Sequence, residues 1–400
     1  MKLVGLGLDR DGHILFLGRA LRLFSYGFLS VALVLYLGSI GLSDVEVGLL
    51  LALTLVGDMG ISLLLTSRAD RWGRRRTLIV GALLMLLAGI AFSLTNNFLF
   101  LVVAATIGVI SPSGNEIGPF LAVEQAALAQ GCSPQGRTKI FAWYNLLGSV
   151  ATAFGSLAAG LVIGLQGTMG YSTVVYGYAA GGALLAVVFV FLGRGIECPE
   201  AAPAGKLFGL HKSKRIVAKL SGLFALDAFG GGFVVQSMVV YWFFIRYGAS
   251  GPELGVLFFL ANLLAAASAL LAVRIAARIG LVRTMVFTHL PSNILLILVP
   301  LMPNMELAML MLLARYSISQ MDVPTRQAYV VSVVDADERS AASGVTNVAR
   351  TVGQSGALFL TGFIIGLDTG SGLIFILAGS IKILYDILLY RQFKHIDTKA

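Results

Sequence analysis

Apolar runs of about twenty residues, separated by short polar stretches, recur from one end of this chain to the other. A helix needs about twenty consecutive apolar residues to cross a ~30 Å hydrocarbon core. The runs at 14–39, 45–66, 77–95, 98–122, 139–164, 172–193, 219–246, 253–273, 284–302, 305–328, 341–366 and 371–390 predict twelve spanning helices. The fourth and tenth are the least clean, with charges and prolines near their ends. The segment 194–218 interrupts the pattern with Pro199, Pro203, Gly205 and a basic run from Lys212 to Arg215. It reads as a cytoplasmic linker between two six-helix halves, 1–193 and 219–400. Its basic end is suited to anionic lipid headgroups.

The two halves repeat each other. Gly27, Phe28, Val34 and Tyr36 recur as Gly232, Phe233, Val239 and Tyr241 at a shift of 205, and Pro119 recurs as Pro324. Gly73, Arg76 and Thr77 recur as Gly280, Arg283 and Thr284 at a shift of 207. Arg137, Asn145, Gly160 and Gly164 recur as Arg339, Asn347, Gly362 and Gly366 at a shift of 202. A duplicated chain this apolar predicts an all-α integral membrane protein with twelve transmembrane helices in two pseudo-symmetric six-helix bundles. Transporters built from parallel repeats bind their cargo between the repeats, near the bilayer midplane. The matched Gly-x-x-x-Gly pairs, Gly160/Gly164 and Gly362/Gly366, let backbones approach closely and read as packing surfaces.

Composition removes the soluble alternatives. The chain is 57% hydrophobic and only 12% charged, with a mean hydropathy of +0.88, whereas soluble domains carry about 25% charged residues. A net charge of +9 would suggest nucleic acid in a soluble protein. Here the basic residues sit in short loops. Arg68, Arg71, Arg74, Arg75 and Arg76 lie in 67–76; Arg194, Lys206, Lys212, Lys214 and Arg215 in 194–218; Arg274, Arg278 and Arg283 in 274–283. The opposite loops hold Arg246 and almost nothing else basic. The positive-inside rule therefore places both termini in the cytoplasm, with the chain in the cytoplasmic (inner) membrane and no nucleic-acid partner expected. Cys132 and Cys198 fall in loops on that side, with neither a disulfide framework nor metal spacing. The apolar run after His13 is too long for a signal-peptide core and continues into a span.

The segment from Ser67 to Thr77 carries Asp70, Arg71, Gly73, Arg74 and Arg75 as Asp-Arg-x-Gly-Arg-Arg. This resembles the loop motif between helices 2 and 3 of the major facilitator superfamily. One departure is Thr66, where the family usually has glycine. The second half keeps a remnant, Arg278 to Arg283, with Ala277 where an aspartate would stand. The resemblance extends over the whole chain and implies that superfamily's fold and alternating access. It also implies that the loop aspartate latches onto the cytoplasmic start of helix 11, which makes Asp70, Arg71, Gly73 and Arg74 gating candidates. A carboxylate near a helix N-terminus is favoured by about 0.3–1 kcal/mol, and Ser340 and Ser343 are candidate caps for that helix. The arginine motif of helix 4 and the Gly-Pro motif of helix 5 found in drug–proton antiporters are absent, as are the sugar-porter loop motifs. The resemblance therefore leaves the substrate unassigned.

Ionisable groups inside spans cost about 2.5–3.5 kcal/mol each at a helix centre and point to function. Here Arg19 and Arg22 lie in the first span, Glu116 in the fourth with Glu124 beyond it, Asp227 in the seventh, and Arg315, Asp322 and Arg326 in the tenth. In the superfamily these helices line the central cavity. Arg22 and Asp227 are repeat partners of opposite charge, each roughly 12 Å in from the cytoplasmic side. They read either as an ion pair across the halves or as a site whose pairing changes with substrate or proton. Gly230, Gly231 and Gly232 follow Asp227 and would loosen its helix. Arg315 lies about 15 Å along its helix, where it would either contact a substrate or pair with Glu116 or Asp322. Asp322 and Arg326 are spaced to pair on one helix face, as are Lys382 and Asp386. Asp322 and Arg326 read as an inner-gate network. Pro119 and Pro324 suggest kinks or helix ends. Asp58 reads as a helix-packing partner or a second proton carrier, His289 as structural, and Tyr26, Gln236, Tyr241 and Asn262 as polar handles or interface anchors.

Arg19, Arg22, Glu116, Asp227 and Arg315 are thus the substrate or proton-coupling candidates. The leading expectation is a monomeric secondary active transporter that exports a small organic compound against a proton. Uptake or exchange of an anionic metabolite is the second, favoured by the arginines, and a non-transporting membrane sensor on the same scaffold is the third. No nucleophile–base pair, metal cluster or phosphate loop appears, so neither enzyme activity, cofactor nor metal is expected.

Overall fold

The computed structural model describes residues 8–130, 134–197, 212–335, 338–367 and 372–395. Cys132, Cys198 and most of the predicted linker lie outside the described residues. The elements are α1 (Arg10–Ser39), α2 (Asp44–Trp72), α3 (Arg74–Leu94), α4 (Phe98–Ile107), α5 (Phe120–Gln130), α6 (Pro134–Gln166), α7 (Met169–Val190), α8 (Lys214–Gly232), α9 (Gln236–Tyr247), α10 (Gly251–Ile279), α11 (Leu281–Leu298), α12 (Met305–Ser319), α13 (Asp322–Ser332), α14 (Arg339–Leu367) and α15 (Leu373–Phe393).

These helices account for all twelve predicted spans, as the fold class requires. Ten spans are long and apolar enough to cross a membrane, with α8 and α9 together forming one of them. The fourth and tenth are interrupted. In the tenth, α12 and α13 are separated only by Gln320 and Met321. In the fourth, α4 and α5 flank a non-helical stretch at 108–119. Pro112 and Pro119 lack amide donors, and Gly114 and Gly118 take φ of 68° and 80°, so no helix can run through. Non-helical backbone at membrane depth survives only where its polar groups find partners. Tyr178 donates to the Val109 carbonyl, and Ser111 Oγ to that of Asn115 at 2.8 Å. Pro119 thus precedes α5, while Pro324 stands in the first turn of α13, so both mark helix beginnings.

Two compact units divide the described helices. The first comprises Met1–Leu42, Val56–Ala204 and Gly251–Phe259. Within it α1 packs along α6 and α7, and α3 along α7. The α1–α6 crossing is backbone-close: a Cβ on Gly27 would strike the Thr152 carbonyl. The second unit comprises Ser43–Leu55, Gly205–Ser250 and Leu260–Ala400. Within it α8 packs along α14 and α15, and α11 along α15. Its α8–α14 crossing repeats the first, with Gly232 against the Gln354 carbonyl. The repeated glycines are therefore explained by helix contact.

The Gly-x-x-x-Gly pairs pack as expected. In the first unit a Cβ on Gly160 would lie 2.6 Å from Gly255 Cα, and Gly164 faces the Pro252 ring. In the second, Gly362 faces Gly48 at 3.0 Å and the Asp44 carbonyl. Gly73 and Gly280, with φ of 101° and 89°, make the left-handed turns that start α3 and α11. The expected caps of α14 are corrected. That helix begins at Arg339, so Ser340 and Ser343 lie inside it.

Candidate functional site: two buried charge clusters

Each unit buries one cluster of charged side chains. In the first, Arg19 and Arg22 stand one turn apart on α1 and share a face. Arg22 is fully buried, and its guanidinium donates to Glu124 of α5 at 2.8 and 2.7 Å. It also donates to Glu116 at 2.9 and 3.2 Å. Arg19 is ion-paired with Glu116, which the break in the fourth span brings inward. The Tyr144 hydroxyl of α6 donates to Glu124. Aromatic rings flank both cations: Arg22 lies 4.4 Å from the Phe120 ring centre and Arg19 4.5 Å from that of Tyr144. Two arginines thus meet two glutamates, and the cluster is neutral.

The second cluster is built around Asp227 of α8. Its Oδ1 accepts from Lys382 Nζ of α15 at 2.6 Å. Its Oδ2 accepts from Arg350 of α14 at 2.9 Å and Arg326 of α13 at 3.4 Å. Arg326 also donates to Asp322 at 2.6 Å, as their spacing predicts. His289 of α11 places Nδ1 2.8 Å from Asp386 of α15 and Nε2 3.7 Å from Asp227. Asn293 donates to the other Asp386 oxygen at 2.9 Å. A carboxylate with three direct cationic donors is held far more firmly than one in a single pair.

Several sequence expectations are corrected here. Arg22 and Asp227 do not need each other, because each is ion-paired within its own unit. Lys382 and Asp386 do not pair on one helix face: Lys382 reaches Asp227, and Asp386 takes His289 and Asn293. His289 is not a lone histidine but a member of the cluster. Arg315 pairs with neither Glu116 nor Asp322; it is half-buried, 5.2 Å from the Tyr316 ring centre, and forms no ion pair among the described residues. Tyr241 donates to Asp44 at 2.6 Å, Asn262 donates to Gln236 at 3.3 Å, and Tyr26 is fully buried. Asp58 accepts from Ser62 at 3.4 Å.

Arg350 is outside the pattern of first and fourth helices in each half. The signal that finds it is an arginine within an apolar span. Glu197 was equally hidden. Its carboxylate accepts from the backbone amides of Arg74 at 2.6 Å and Arg75 at 3.3 Å, capping α3. Arg74 in turn donates to Asp70 at 2.8 Å and to the Ile196 carbonyl at 3.1 Å. Gly73 gives this acid room, since a Cβ there would stand 3.3 Å from Glu197 Oε1. Arg71 is exposed. The gating candidates Asp70, Gly73 and Arg74 therefore share one capped turn.

Residues 15–358 match the sequence pattern of the Major Facilitator Superfamily. The chain belongs to that superfamily. It is accordingly a multi-pass membrane transporter. It is 31% identical over 430 residues to the uncharacterized membrane protein YJR124C of Saccharomyces cerevisiae, a match covering 98% of this chain and 96% of that protein. Solved superfamily structures share its fold. The nucleoside transporter NupG superposes with a TM-score of 0.77 at 13% identity, over 96% of this chain and 100% of that one. A bacterial homolog of the human lysosomal transporter Spinster gives 0.74 at 15%, over 98% and 99%. A D-xylose–proton symporter gives 0.70 at 15%, over 95% and 96%. At these identities the likeness is one of fold alone.

Proposed function

We propose that this facilitator is a proton-coupled secondary active transporter of the cytoplasmic membrane, with both termini in the cytoplasm, that exports a small organic compound. The observation that carries the reading is the pair of buried charge clusters on α1 and α8, the most thoroughly buried spans. Charge this deep is costly and marks ion or proton pathways. Glu116 and Asp227 are the acids through which the coupling acts, and the capped turn of Asp70, Gly73 and Arg74 belongs to the gate. The test is reconstitution in liposomes holding a pH-sensitive dye. Compounds that raise the melting temperature of the purified protein are added from outside. A substrate-driven pH change in native vesicles, absent in Asp227→Asn, supports the reading; normal proton flux in that variant removes Asp227 from the coupling.

One observation favours a second reading, uptake or exchange of an anionic metabolite. Arg315 lacks an acidic partner among the described residues, which leaves its charge for an anionic group. Arg315→Gln then abolishes binding of an anion and leaves a neutral analogue unaffected.

A further inference from the structure

His289 is bracketed by two carboxylates. A separation of 2.8 Å between Nδ1 and Asp386 Oδ1 requires a proton between them, because two bare acceptors repel at that distance. Asn293 Nδ2 donates to the other Asp386 oxygen at 2.9 Å and lies 3.2 Å from Nδ1; the shorter contact, to Asp386, is the one that takes the Nδ1 proton. In a neutral ring, Nε2 is then a lone pair turned toward Asp227 Oδ1 at 3.7 Å, acceptor facing acceptor. With the two side chains only 5% and 3% exposed, solvent does not screen this contact.

Charge counting reaches the same atom. Asp227, Asp322 and Asp386 are matched by Lys382, Arg326 and Arg350. Placing a proton on Asp227 would weaken contacts to three cations. Placing it on His289 Nε2 leaves Asp227 a charged acceptor for all three and turns an acceptor–acceptor contact into a charge-assisted hydrogen bond. We infer that the coupling proton is held on His289 Nε2, against Asp227 Oδ1; this rests on the proton-coupled reading above.

The groups around the ring define what loading does. From α8 it meets Asp227; from α15, Asp386, Lys382 beyond Asp227, and the Tyr385 ring at 5.9 Å; from its own helix, Asn293. Asp322 and Arg326 of α13 and Arg350 of α14 lie on the far side of Asp227. Glu306, Arg315 and Tyr316 of α12 make no hydrogen bond or ion pair with His289 among the described residues. Asp227 thus presents Oδ1 to α11 and α15, and Oδ2 to α13 and α14. A proton taken from water onto Nε2 adds a donor on the Oδ1 side. It draws the carboxylate that way and loosens its hold on Arg326 and on Arg350, whose side chain is 26% exposed.

The chain has four histidines: His13, His211, His289 and His395. Full-length protein labelled with 15N-histidine, carrying His13→Gln, His211→Gln and His395→Gln, reports on His289 alone by NMR in lipid nanodiscs. Across the conditions in which native vesicles show compound-driven flux, Nε2 is found both bare and protonated while Nδ1 stays protonated. In Asp227→Asn the protonated form of Nε2 is depleted, because the carboxylate that would accept its hydrogen bond is gone. An Nε2 that keeps one state throughout, or a transition carried by Nδ1, overturns the assignment. In liposomes, His289→Gln loses proton flux yet still exchanges a labelled form of the compound that drives flux in native vesicles. Native proton flux in that variant removes His289 while leaving proton coupling standing. A normal NMR transition without compound-driven proton flux in native vesicles removes the coupling reading instead.

Discussion

Arg22 and Glu124 meet through two contacts of 2.8 and 2.7 Å with both side chains withdrawn from solvent. The equivalent pair of the second unit, Asp227 and Arg326, has its signs exchanged. Arg22 and Asp227 are related by the repeat shift of 205, and Glu124 and Arg326 are each the fifth residue of their helices, α5 and α13. An ion pair thus joins corresponding elements in both units, with its polarity reversed.

The Arg22 cluster is balanced, so removing one member leaves an unpaired buried charge. Arg22→Met is expected to destabilise the protein by about 3–5 kcal/mol. Arg22→Met combined with Glu124→Leu removes both charges and costs less than the single change. Thermal unfolding of the purified variants checks this; a double variant less stable than the single contradicts the pairing.

Lys382 is bound to Asp227 at 2.6 Å rather than to Asp386. A double-mutant cycle between Lys382→Met and Asp227→Asn is expected to show a coupling of about 0.5–3 kcal/mol. The corresponding cycle with Asp386→Asn gives a smaller value. Equal couplings would place Lys382 between both acids.

Glu197 caps α3 through the amides of Arg74 and Arg75. Glu197→Ala is expected to cost about 0.5–2 kcal/mol. Hydrogen exchange supplies the specific readout: the amides of Arg74 and Arg75 exchange faster, while those of the middle of α3 do not.

Two glycines of α8 separate packing from propensity. A Cβ on Gly232 would strike the Gln354 carbonyl, whereas nothing lies within 4 Å of one on Gly222. Gly232→Ala is expected to destabilise by about 1–3 kcal/mol. Gly222→Ala, in open space within a helix, is expected to be neutral or to stabilise by up to about 1 kcal/mol. Melting temperatures of the two variants, measured side by side, decide between them.

Sequence by itself determined the twelve spans, the duplication and the membership of the superfamily. Hydropathy acts over about twenty contiguous residues, and loop motifs are contiguous too, so both can be read along the chain. It also flagged the fourth and tenth spans as irregular, through Pro119 and Pro324. Tertiary structure alone decided who pairs with whom. Arg22 could have met Asp227, and Lys382 could have met Asp386, by every local rule of depth and spacing. Which partner wins depends on helix crossings such as Gly27 on Thr152 and Gly232 on Gln354. The second of these crossings brings Arg350 of α14 to Asp227. A buried charge takes the nearest opposite charge that the packed backbones allow, and that distance is not written in any one helix.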